Sequence, residues 1–320
     1  MPPGSILNFL AIFSWCGRPC ETFHKVRQGA KRFSVFSENS ESSLWLPVQM
    51  GWRWMPLIMK SFSFTLVLAS LAAAGMASGI EVGEKPKTPK LPGVPYVVHD
   101  GTRPQPVKVK SGGAVSTKPP GDALVLIGEK SSDTWNGNNW PIVDGVMTVA
   151  RGGGVSSKAA FGDCQLHLEY RVPAGRKVKG QAGGNSGVFL MGLYEMQVGE
   201  SHTNQTYPDG QTAALYGQSP PRVNPSTPQG EWQSFDIIFE APDYEEGKVV
   251  SPAVITVIHN GVLVHHRKAL LGPTRHKALA TYPAKHPEKA PISLQDHGDP
   301  IQYRNIWIRE LGAYDAAAKK

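Results

Sequence analysis

Glu195 and His297 are the residues whose type and setting best suit acid–base chemistry. Glu195 lies in Tyr194-Glu195-Met196-Gln197-Val198, where Tyr194, Met196 and Val198 form an apolar set of period two. A strand with that pattern turns Glu195 and Gln197 outward side by side. In Ile292-Ser293-Leu294-Gln295-Asp296-His297, Ile292 and Leu294 face inward, which turns Gln295 and His297 out. In Gln233–Glu240, Phe235, Ile237 and Phe239 face inward while Ser234 and Asp236 face out. If these strands are neighbours in one sheet, two carboxylates, an imidazole and two amides share a face. Acid, base and hydrogen-bond donors on one sheet are what glycoside chemistry needs. Outward polar residues also serve plain solvation. Glu195 and His297 stand apart because each sits in a Gly-flanked apolar strand where Thr or Lys would serve solubility as well.

The loops offer walls for such a site. Gly183-Gly184-Asn185-Ser186-Gly187 allows a ligand to approach the backbone closely beside Asn185, and a simple hairpin turn uses the same residues. Residues 201–216 are polar and long enough to line a pocket, with His202, Asn204, Tyr207 and Asp209 among them. Trp135, Trp140 and Trp232 suit stacking on sugar rings, although tryptophan in a sandwich is more often core. The motifs HExxH, GxxxxGK[ST] and GxSxG do not occur. His265-His266 and Asp296-His297 are adjacent pairs, and neighbours on a strand point to opposite faces, so neither forms a ready-made metal site. No cofactor is marked by the sequence. A divalent metal ion is compatible with the chemistry but has no ligand set assigned to it.

The elements that must hold these residues are short. Candidate strands are Ala123–Ile127, Val146–Ala150, Cys164–Arg171, Ser186–Leu190, Glu195–Val198, Gln233–Glu240, Val254–His259, Val262–His266, Ile292–Asp296 and Ile301–Arg309. Asn260-Gly261 between two Val-rich runs predicts a tight hairpin, because both residues accept positive φ. No segment sustains helical spacing for twelve residues. Many short strands with frequent turn signals predict an all-β fold of two packed antiparallel sheets over residues 122–312.

The amino-terminal part has another texture. From Met59-Lys60 a short apolar run leads through Ala72-Ala73-Ala74 to Ala77-Ser78-Gly79, the order of a signal peptide over residues 59–79. It is too short for a membrane span. Residues 1–58 then read as an over-extended start without pattern. They carry six Lys or Arg and three Asp or Glu, so they supply +3 of the net +7. The rest of the basic excess is scattered, with no basic stripe interleaved with aromatics, so nucleic acid is excluded as a partner. Cys16 and Cys20 precede Met59, leaving Cys164 alone in the exported part. Residues 80–121 are rich in Pro and read as a linker or strap, and 313–320 as a tail. The expected location is periplasmic or secreted, with no membrane contact beyond the signal peptide.

Six segments carry a family resemblance. They are Asn185-Ser186-Gly187-Val188-Phe189-Leu190-Met191-Gly192, Tyr194 to Val198, Leu215-Tyr216-Gly217-Gln218-Ser219-Pro220-Pro221, Gly230 to Phe239, Leu294-Gln295-Asp296-His297-Gly298 and Tyr303 to Leu311. In this order they resemble the 3-keto-disaccharide hydrolase domain family. The resemblance implies a concanavalin A-like β-sandwich (jelly roll) and a carbohydrate substrate oxidised at C3. One departure is Leu126-Ile127-Gly128-Glu129, where the family has a Phe-Asp-Gly turn. In such a substrate the ketone acidifies the C2 proton, a base removes it, the C1 oxygen leaves and water adds back. Glu195 or His297 would serve as base or acid. Asn185, Gln197, Gln295 and Arg304 would position the sugar or its oxyanion, with Tyr207, Asp209 and Asp236 as further binding residues. A non-catalytic lectin-like module and a retaining glucanase are the competing readings. The first requires exposed aromatics along a groove. The second requires a second carboxylate about 5 Å from the first, where this strand has Gln197.

Overall fold

The computed structural model describes residues 82–128, 133–137 and 140–312. The signal-peptide segment, the stretch before it, the tail 313–320 and Glu129 lie outside the described residues.

Two antiparallel sheets pack face to face around one apolar core. The larger has eight strands. Val262–Ala269, Val254–His259, Gln233–Glu240, Cys164–Arg171 and Gln302–Glu310 run across it in that order, and Val146–Thr148 and Ile142–Val143 follow. Leu124–Ile127 also pairs with Gln302–Glu310. The smaller sheet has five strands, in the order Trp135–Gly137, Val155–Phe161, Ala290–Leu294, Ser186–Leu190 and Tyr194–Val198. The fold is therefore the all-β sandwich expected from the strand pattern.

Alternation explains the layers. Cys164, Leu166, Leu168 and Tyr170 enter the core from the larger sheet, and Tyr194, Met196 and Val198 enter it from the smaller. The hairpin at Asn260-Gly261 forms as predicted, with φ of 51° and 78°. Asn260 also ties that turn to the next strand, since its Oδ1 accepts from Ser234 N–H at 2.8 Å.

Residues 82–121 pack closely on the sandwich. Val107–Lys108 pairs in parallel with Val223–Asn224, and His99 and Asp100 are fully buried. Further on, Val115 N–H donates to Ser234 Oγ at 3.0 Å, and the Trp307 indole donates to the Thr117 carbonyl at 3.0 Å. This strap thus touches the loops over the smaller sheet at His99 and the outer face of the larger sheet near Ser116.

Candidate active site

Glu195 and Gln197 leave the core side of Tyr194–Val198, as the alternation requires, yet they are only 6% and 2% exposed. The covering comes from the loop that follows the strand. Gln197 exchanges backbone hydrogen bonds with Ala213 and Ala214, and Tyr216 N–H donates to the Glu195 carbonyl at 3.2 Å. Thr274 Oγ1 accepts from Glu195 N–H at 2.9 Å along the same strand edge. The carboxyl of Glu195 lies over Gly187, where a Cβ would stand 2.6 Å from Oε1. A glycine on the neighbouring strand is therefore what leaves room for this carboxyl. Among the described residues nothing donates to it, and burial alone pushes its pKa up to about 8.

Two phenols and two imidazoles form the adjoining wall. Tyr207 is 3% exposed, and its hydroxyl lies 2.7 Å from that of Tyr216. The Tyr216 hydroxyl lies 3.1 Å from His276 Nδ1, within hydrogen-bond reach. His99, from the strap, packs its ring at 4.3 Å from Tyr207 and 4.8 Å from Tyr216. The Glu195 carboxylate acts electrostatically on both phenols, after burial and their mutual hydrogen bond. Asp209 is fully buried behind this wall, where its Oδ2 accepts from His99 N–H at 2.9 Å.

The amides form a second group. Gln197 Nε2 donates to Asn185 Oδ1 at 2.8 Å, and Asn185 Nδ2 donates to the Gln181 carbonyl at 3.0 Å. Asn185 N–H in turn donates to Asp299 at 3.0 Å. Together with neighbouring glycines, Gln181, Asn185 and Gln197 line a void of about 10 Å³, enough for one water. Gln295 stands one strand away: its N–H donates to the Gly187 carbonyl at 3.0 Å, and its side chain is half-buried. His297 sits past the end of Ala290–Leu294 in an exposed turn. Asp296 holds that turn by accepting from Gly152, Gly153 and Gly298. His276 feels His297. Burial first, then His99, Lys277 and His297, keep the His276 imidazole below its ordinary pKa.

Two expected site residues lie elsewhere. Asp236 and Arg304 are on the larger sheet's outer face, away from the strand of Glu195. Asp236 Oδ1 is 2.7 Å from His167 Nδ1, while Arg304 donates to Glu169 at 2.7 Å and stacks over Trp232 at 4.1 Å. Outward parity was read correctly for Asp236, but parity does not say which sheet a strand joins. His99, Gln181, Tyr216, Thr274 and His276 complete the site without having been singled out as site residues. Four lie in loops with no period to mark them, and His99 sits in the Pro-rich strap. Among the described residues no three His, Cys, Asp or Glu side chains converge as a metal cluster.

A β-sandwich with a desolvated carboxyl and hydroxyl donors on the outer face of one sheet has the equipment of a carbohydrate-active protein. Residues 122–309 match the 3-keto-alpha-glucoside-1,2-lyase-like domain, and the chain belongs to that family. A candidate glycosyl hydrolase from Parabacteroides distasonis, known as a crystal structure, is 36% identical. The match covers 68% of this chain and 99% of that one, with a TM-score of 0.59. A second candidate glycosyl hydrolase from the same organism is 23% identical over 59% of this chain and 99% of its own, with a TM-score of 0.44. No curated protein matches the chain. Family and neighbour together support a glycoside hydrolase-type function and a carbohydrate substrate. Among the described residues no helix is long and apolar enough to cross a membrane.

Proposed function

We propose that this protein cleaves 3-keto-glycosides by elimination across C1 and C2, with Glu195 taking the C2 proton. The observation that carries the reading is the Glu195 carboxyl, buried with no hydrogen-bond partner among the described residues and with its pKa held at about 8, in a chain of the lyase-like family. The ketone at C3 stabilises the carbanion as an enolate. Glu195 accepts the C2 proton, the C2–H electrons pass into the enolate, and the enolate then expels the C1 oxygen to leave a C1–C2 double bond. Water adds back, hydroxyl to C1 and proton to C2, when the outcome is hydrolysis. A base near 8 removes a carbon-bound proton better than an ordinary carboxylate does. Gln295, whose amide makes no hydrogen bond among the described residues, is the candidate donor to the enolate at O3.

Other features agree with an enzyme. The large exposed apolar side chains among the described residues are Val, Leu and Ile, so no row of exposed aromatics offers the platform of a binding module. Gln197 occupies the place a glucanase would give to its second carboxylate, and its amide is spent on Asn185. The apolar segment that starts at Met59 supports export, and we place the reaction in the periplasm or outside the cell.

The test is product formation from a 3-keto-disaccharide and from its unoxidised parent. Turnover of the keto substrate alone is expected. Glycan binding with turnover of neither would overturn the reading in favour of a lectin-like module.

Gly187 gives an independent check. Gly187→Ala places a methyl 2.6 Å from Glu195 Oε1 and 3.0 Å from the Phe189 ring, so the carboxyl must move. A displacement of this size is expected to lower kcat/KM by about 100-fold. Unchanged turnover in a folded Gly187→Ala protein would show that the carboxyl's present position is not the working one.

A further inference from the structure

Elimination needs an acid as well as a base, because a sugar alkoxide leaves poorly without a proton. We propose that Tyr207, Tyr216 and His276 form a relay that delivers this proton to the departing C1 oxygen, with Tyr207 at its inner end. The inference rests on the functional reading above and extends it to a second group.

The geometry supplies an unbroken path. The Tyr207 and Tyr216 hydroxyls are 2.7 Å apart, and Tyr216 reaches His276 Nδ1 at 3.1 Å. Tyr207 is buried while His276 is exposed, so the chain runs from the carboxyl pocket to water. The rings are held in place. Tyr216 stacks on His276 with planes 17° apart, and His99 packs against Tyr207, Tyr216 and His276. His99 is itself fixed by Asp209, and its Nε2 accepts from Lys277 N–H at 3.4 Å. The groups facing the relay are therefore Glu195, Asp209, His99, Lys277 and His297.

The proton count closes. Tyr207 gives its hydroxyl proton to the leaving oxygen as the C1–O bond breaks. Tyr216 reprotonates Tyr207, His276 Nδ1 reprotonates Tyr216, and His276 Nε2 takes a proton from water, so the imidazole ends neutral in its other tautomer. The C2 proton meanwhile rests on Glu195. In the hydration step the same path runs backwards and carries away the proton that water loses as its oxygen joins C1. Burial, the partner hydroxyl and the nearby carboxylates hold the Tyr207 phenol above its ordinary range, which brings it towards the basicity of a sugar alkoxide.

Leaving-group chemistry tests the relay. The full chain, Tyr216→Phe and His276→Ala are compared on a 3-keto-disaccharide and on a 4-nitrophenyl 3-keto-glucoside, whose phenolate leaves without protonation. Each variant is expected to lose about 100-fold in kcat on the disaccharide, within the usual range for a lost general acid. The loss on the aryl glycoside should be at least about tenfold smaller, by the same argument. Added imidazole should restore part of the His276→Ala activity, since that position is open to solvent. Equal losses on both substrates, or no loss on either, would overturn the relay while leaving Glu195 as base. Wild-type protein that turns over neither substrate would overturn the functional reading and the relay with it. His276→Ala keeps the test decisive if Tyr216→Phe fails to fold.

Discussion

Glu195→Gln is expected to lower kcat on a 3-keto-disaccharide by about 1,000-fold, within the range for a general base, while making the folded protein more stable at neutral pH. The two effects share one cause. The amide keeps the size of the carboxyl but accepts no proton from C2. The carboxyl, however, is a liability to the fold, because it is buried with no hydrogen bond among the described residues. Its folded pKa of about 8 lies above the ordinary 4.5, so between those values the folded state holds a proton that the unfolded chain has released. Stability therefore falls as pH rises from about 4.5 to 8, by a few kcal/mol in all, and the cost is absent in the glutamine variant. Denaturant midpoints should coincide near pH 4 and diverge in favour of Glu195→Gln towards pH 8. Activity should show the mirror image: kcat/KM of the wild type rises through pH 8 as the base ionises. His297→Ala, on the exposed rim, should cost about tenfold or less, below the range for a general acid or base. A Glu195→Gln protein with wild-type turnover would move the base elsewhere, with His297 the next residue to test.

The strands were legible because alternation is a local property. Gln233–Glu240, Cys164–Arg171, Ser186–Leu190 and Val254–His259 occur with the bounds their patterns predict. Val155–Phe161 was not foreseen, because Ser157 occupies one of its buried positions. That serine is tolerated there since its hydroxyl donates to the Ala159 carbonyl and accepts from Ile292 N–H. Arg304 shows where parity fails. Tyr303 and Ile306 both enter the core, which strict alternation forbids. The register shifts between Arg304 and Trp307, and Asn305 has φ of 45°. This bulge turns Arg304 outward to Glu169, on the sheet that does not carry Glu195. The floor of the site was legible in Tyr194–Val198 and the family segments. Most of its wall was not, because His99 and His276 are brought to Tyr207 and Tyr216 by tertiary packing alone.

That packing depends on the strap, and the strap leads to the second large effect, at Glu169. Its side chain is fully buried on the outer face of the larger sheet. Ser116 Oγ donates to it at 2.6 Å, Asn305 at 2.9 Å and Arg304 at 2.7 Å. Burial would raise its pKa, but these bonds and His167 outweigh burial and bring it down to about 2. Glu169→Ala removes the acceptor that joins strap, bulge and sheet, and takes from the buried His167 one of its two carboxylate neighbours, leaving it with Asp236 and Asn305. Breaking such a set from one side is expected to cost about 3–5 kcal/mol, read as a lowered denaturant midpoint. The pH dependence has two limbs. Glu169 is depressed on folding, so its contribution is complete above the ordinary 4.5 and is lost as pH falls towards 2. Burial would lower His167, but its hydrogen bond to Asp236 and the Glu169 carboxylate 3.8 Å away outweigh burial and raise it, so its contribution is complete below 6.5 and is lost as pH rises. The network thus favours a stability maximum between about 4.5 and 6.5, and Glu169→Gln should flatten the acid limb. Ser116 loses its anchor in Glu169→Ala, so proteolysis of that variant within residues 110–118 should quicken before the sandwich unfolds. His99 lies on the same strap, and activity should fall as that cleavage proceeds. A Glu169→Ala protein with the wild-type midpoint and intact protease resistance would show that the strap is held by its backbone pairing alone.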